Sequence, residues 1–146
     1  MTTPSIAGQD TVSEQTHDNE FNFAARAEHL VGVRHLVERI AGQKGLTRSQ
    51  ISDLLTAVDE AAANAIRHGS PQGEKNTVRV RCEPTVDGIQ VEVRDCGAGF
   101  VAANRPIMPG PDALGGRGLP LMCALADTVE IASTPQGTTI VLKKKK

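Results

Sequence analysis

The chain has 146 residues, 39% of them hydrophobic, with no Trp, no Tyr and three Phe. That supports one compact domain whose core is built from Val, Ile, Leu and Ala. A formal net charge of -1 argues against nucleic acid as the main partner, since phosphate neutralisation needs a basic surface, and no apolar run approaches the roughly 18 residues of a membrane span.

Residues 1–19 are rich in Thr, Ser, Gln, Asp and Gly, show no apolar period, and read as a flexible leader before a domain spanning 20–146. They lack the basic-then-apolar layout of a signal peptide. The odd, widely spaced Cys82, Cys96 and Cys123 offer no C-x-x-C pair for zinc or redox chemistry. A reducing, cytoplasmic setting is the expectation.

Phe21-Asn22-Phe23-Ala24 alternates as a short strand does. Leu30, Val33, Leu36, Val37 and Ile40 then recur at helical spacing, and Gly42 and Gly45 are expected to end that helix. Thr47 with Gln50 forms a capping box for a second helix, which carries Ile51, Leu54, Leu55, Val58, Ala62, Ala65 and Ile66 on one face and stops near Gly69-Ser70-Pro71.

A hairpin follows. Val78, Val80 and Cys82 alternate with polar residues, as do Ile89, Val91 and Val93, around a turn assigned to Asp87-Gly88. In that register Val86 faces Ile89, Cys82 faces Val93 and Val80 faces Asp95, which puts Asp95 on the inner, apolar face. Residues 96–118 have no period, and a loop of that length is usually functional. A helix over about Leu119–Ala126 and strands over Thr128–Ala132 and Thr138–Leu142 complete the chain. The terminal run Lys143 to Lys146 reads as a solvated end. Helices first and hairpins after favour an α+β two-layer sandwich, with a mixed, mostly antiparallel sheet covered on one face by helices.

Three segments carry chemistry. On the second helix, Glu60, Asn64 and His68 project together at about 100° per residue, opposite the apolar stripe. A solvated outer face would look the same, but Ala57 and Ala61 beside them are small, as if something approaches. Asn offers an oxygen to Mg²⁺ without charge, and Glu60 can accept a proton from an attacking hydroxyl. Asp95, inward at a strand end, is either a turn cap or an acceptor for a buried donor such as the exocyclic amine of adenine. Gly97 and Gly99 let the backbone turn and approach a flat ligand. Gly116, Arg117 and Gly118 precede an apolar helix, and N–H groups at a helix start bind phosphate, although a loop ending in a helix start reads the same way.

Together these segments resemble the gyrase, heat-shock chaperone and histidine-kinase ATPase superfamily. Within it the chain is similar to the small bacterial anti-sigma factors that are also serine-protein kinases. The N box corresponds to Ala57–Gly69, the first glycine box to Val93–Phe100, the second to Gly116–Met122, and the closing strand to Gly137–Leu142. The resemblance implies ATP and Mg²⁺ as cofactors, Glu60 as general base, Asn64 as the Mg²⁺ ligand, Asp95 as acceptor of the adenine amine with Thr138 nearby, and 100–115 as a lid. Nucleotide contacts would also come from Gly97, Gly99, Gly116, Arg117, Gly118 and Leu119. Pro120 departs from the family pattern, and the lid is poor in charge. The implied partners are an anti-sigma-factor antagonist of the STAS type and a sigma factor. A homodimer is implied as well, with the apolar face of the first helix and the Phe21–Ala24 strand as candidate contacts, and neither nucleic acid nor membrane is bound. The alternatives are a nucleotide-gated binding switch without kinase activity, a partner-switching kinase with a target other than a sigma factor, and a detached histidine-kinase module.

Overall fold

The computed structural model describes residues 14–95 and 118–146. In chain order the elements are β1 (Glu14–His17), β2 (Glu20–Ala24), a 3-10 turn (Ala27–His29), α1 (Leu30–Lys44), α2 (Arg48–Arg67), a second 3-10 turn (Gly73–Lys75), β3 (Thr77–Pro84), β4 (Gly88–Asp95), α3 (Gly118–Leu125), β5 (Thr128–Thr134) and β6 (Gly137–Lys145). The strands form one sheet in the order β1-β2-β3-β4-β6-β5, and every described pairing is antiparallel. β1 lies inside the stretch 1–19, so the sheet begins before residue 20.

Burial follows the period-2 pattern of the strands. In β3, Val78, Val80 and Cys82 face the helices, as do Ile89, Val91 and Val93 in β4. Against them pack Val33, Leu36, Val37 and Ile40 of α1 and Leu54, Leu55 and Val58 of α2. Phe21 and Phe23 of β2 stack at 5.1 Å within the same core. The two surfaces named as candidate dimer contacts are therefore largely consumed by the core. The result is the expected α+β architecture of two layers, with helices on one face of the sheet.

Local signals set the helix ends. Thr47 caps α2 as its sequence predicts: its hydroxyl accepts from Gln50 N at 3.1 Å, and Gln50 Oε1 accepts from Thr47 N at 2.7 Å. α1 runs through Gly42, where an added Cβ would meet nothing within 4 Å, and stops at Gly45, whose φ of 95° is left-handed.

The hairpin register differs from the expected one. Val78 faces Asp95, Val80 faces Val93, Cys82 faces Val91 and Pro84 faces Ile89. Thr85 N donates to Gly88 O at 2.8 Å, so the turn residues are Val86 and Asp87. Gly88 is the first residue of β4, not part of the turn. A side chain there would clash with the backbone of Lys144 on β6, so its glycine answers to the neighbouring strand. The register moves by two residues on the partner strand, which leaves every side chain on its original face. Asp95 stays inward.

Candidate functional site

Asp95 ends β4 with only 5% of its surface exposed. Its Oδ1 accepts from the backbone N of Thr138 on β6 at 3.1 Å. Thr138 is itself buried, and its hydroxyl lies 2.9 Å from that of Ser133 on β5. The β4–β6 pairing, with Arg94 opposite Thr139, brings these groups together. Gly69, just past the end of α2, closes the other side. A Cβ built there would lie well under 3.0 Å from Asp95 Oδ2, and one on Gly137 would clash with the Asp95 carbonyl. Sequence reasoning treated Gly69 as a helix stop and missed its contact with Asp95. Ser133 carries no sequence signal, because its role comes from its register opposite Thr138.

On α2 the expected trio separates. Asn64 is buried at 2% exposure, Glu60 is half-buried and His68 is exposed. Ala57 and Ala61 are fully buried, and α2 packs against both α3 and the sheet. The face is therefore not a solvated one. Asn64 Oδ1 accepts from Arg67 Nη2 at 3.0 Å, while Asn64 Nδ2 has no hydrogen-bond partner among the described residues. Glu60 makes no hydrogen bond or ion pair among the described residues, so its carboxylate is uncommitted. Its neighbour Asp59 pairs with Arg34 of α1. Burial nevertheless raises the Asp59 carboxyl above its ordinary value, with the Arg34 charge and hydrogen bond pulling the other way.

Gly97, Gly99, Gly116, Arg117 and the stretch 100–115 lie outside the described residues. Gly118 opens α3. Leu119, expected among the nucleotide contacts, has its side chain in the hydrophobic core at 3% exposure. Two clusters remain. One is a desolvated carboxylate, aligned by a backbone N–H and with glycine on one side, suited to accept from a flat amine-bearing ligand. The other is an uncommitted carboxylate one turn from a buried amide, suited to proton transfer beside an oxygen-ligated cation.

The fold and these clusters define an ATPase module of the histidine-kinase type, and the chain belongs to the histidine kinase-like ATPase domain family, whose model matches residues 23–144. Its relatives include the anti-sigma F factor of Clostridium novyi, 30% identical over 132 residues that cover 86% of this chain and 92% of that protein. The serine-protein kinase RsbW of Bacillus velezensis is 34% identical over 134 residues, covering 86% of this chain and 83% of that one. A crystal structure of RsbU and RsbW domains from Mycobacterium tuberculosis matches with a TM-score of 0.60 at 21% identity, over 86% of this chain and 32% of that one. The histidine kinase domain of Erythrobacter litoralis EL346 matches with a TM-score of 0.56 at 16% identity, over 82% of this chain and 60% of that one. At those identities the two structures speak for the fold. Among the described residues no helix is long and apolar enough to cross a membrane.

Proposed function

We propose that the chain is an ATP-dependent serine-protein kinase that acts as an anti-sigma factor in a partner-switching system. It phosphorylates a small antagonist of the STAS type and sequesters a sigma factor. The observation that carries the reading is the buried Asp95 carboxylate, aligned by Thr138 N and flanked by Gly69. The names and near full-length coverage of the curated relatives support the output. A homodimer and a cytoplasmic location belong to the same proposal.

In this reading Asp95 accepts the exocyclic amine of adenine, and the buried Thr138 stands beside it. Asn64 fits a magnesium ion because its amide oxygen is neutral and Arg67 engages only one of its two lone pairs. Among the described residues no group of three or more His, Cys, Asp or Glu gathers for a metal. A cation here would therefore draw its other ligands from phosphate and water, as Mg²⁺ does. Bound Mg·ATP supplies the phosphoryl group and the charge neutralisation. Glu60 takes the proton of the substrate serine as its oxygen bonds to the γ-phosphorus and the bond to the β-phosphate oxygen breaks, releasing ADP. The Glu60 carboxylate is suited to this, since among the described residues no cation is paired with it.

The test is transfer from radiolabelled ATP to the cognate antagonist. Glu60→Gln should bind nucleotide as the wild type does and slow transfer by about 10²–10⁴-fold. Transfer at the wild-type rate would remove Glu60 from the role of base. Nucleotide binding by the wild type with no transfer at all would favour a nucleotide-gated binding switch.

A further inference from the structure

Asn64 is 2% exposed, yet its amide is only half satisfied. Arg67, one turn further along α2, donates from Nη2 to Oδ1 at 3.0 Å, and Nδ2 has no partner among the described residues. Only the oxygen of an amide can accept from a guanidinium, so this bond settles which end of the amide is which. A buried donor without an acceptor is costly, and native proteins keep few of them. Arg67 occupies the last turn of α2, where a cation also complements the helix dipole. The dipole accounts for an arginine there, but not for one turned back onto a buried amide.

We propose that Arg67 is a positioning residue that competes with a divalent cation for the Asn64 oxygen, so that nucleotide binding by this chain depends only weakly on magnesium. The inference rests on reading Asn64 as the metal-side residue of the nucleotide pocket. A guanidinium and a divalent cation on one carbonyl oxygen repel each other, and the cation gains the oxygen fully only when Arg67 leaves. Without the cation the Arg67–Asn64 bond persists, and the Nδ2 donor remains unspent for an acceptor such as a phosphate oxygen.

The probe is methylanthraniloyl-ADP, with its dissociation constant measured by fluorescence in excess magnesium chloride and again in EDTA. The readout is the ratio of the EDTA constant to the magnesium constant, which a purely structural role for Arg67 would not move. Arg67→Met should raise that ratio roughly tenfold, the low end of what a hydrogen bond to a charged group is worth. Arg67→Gln removes the charge with a polar side chain and should raise the ratio in the same direction. Circular dichroism establishes that each variant is folded. Wild-type ratios in both variants, with the magnesium effect abolished in Asn64→Ala, would overturn the competition and leave the reading of Asn64 standing. A ratio in the double variant Arg67→Met/Asn64→Ala as high as in Arg67→Met alone would overturn that reading, and the inference with it.

Discussion

The carboxylate of Asp95 fills the space that a side chain at Gly69 would need. The end of α2 and the end of β4 thus meet without an intervening Cβ, and Thr138 N holds the carboxylate from the opposite side. The glycine that closes the N box and the aspartate of the first glycine box are one structural unit.

Gly69→Ala should therefore push the Asp95 carboxylate off Thr138 N. The expected loss is about 1–3 kcal/mol, as for other overpacked buried sites, read by urea denaturation. Affinity for methylanthraniloyl-ADP should fall together with stability. An alanine variant with full stability would mean that the Asp95 side chain has another place to go.

Gly32 of α1 stands in the same relation to Phe21 of β2, because a Cβ there would lie 2.5 Å from Phe21 Cζ. Phe21 is buried and stacked on Phe23, so its ring has little room to yield. Gly32→Ala should destabilise by about 1–3 kcal/mol while leaving nucleotide affinity unchanged, since the contact lies outside the Asp95 cluster. Paired denaturation and binding measurements check both halves.

Asp59 predicts a pH dependence. Burial raises its folded pKa above 3.8, against the pull of Arg34. The folded state then binds the proton more tightly than the unfolded state. The stability linked to this group is complete below pH 3.8 and declines as pH rises through the folded value. Asp59→Asn cannot titrate, so its melting temperature should improve relative to wild type between pH 4 and pH 7. A decline over that interval would mean that the Arg34 ion pair outweighs desolvation.

Cys82 on β3 is fully buried, and its thiol is pushed up to about 12, mainly by burial, with Arg39 lowering it and Glu83 raising it. The thiolate is the reactive form. At pH 8 Cys82 should resist alkylation while the exposed Cys123 reacts, and unfolding in urea should equalise the two. Peptide mapping after iodoacetamide treatment reads this directly.

Much of the fold was legible because its causes are local. The Thr47–Gln50 capping box, the helical spacing of α1 and α2 and the alternation in β3 and β4 each act within a few residues along the chain. The hairpin turn was misplaced because Gly88 resembles a turn glycine, whereas its constraint is the Lys144 backbone on a strand more than fifty residues later in the chain. Asp95 was still placed inward, because a two-residue slip preserves faces. Leu119 matched a glycine-box motif, but its side chain serves the core.

By itself the sequence determined the element types, the two-layer class and the inward face of Asp95, since period and capping need no distant partner. Tertiary structure alone decided that Asn64 would be buried and Glu60 left half-buried. It also brought Gly69, Thr138 and Ser133 to Asp95, and turned Arg67 onto the Asn64 oxygen. The Asp95 cluster depends on strand order and helix packing, which bring together residues that the chain keeps far apart, whereas Arg67 and Asn64 are helical neighbours whose burial, not spacing, the packing decides.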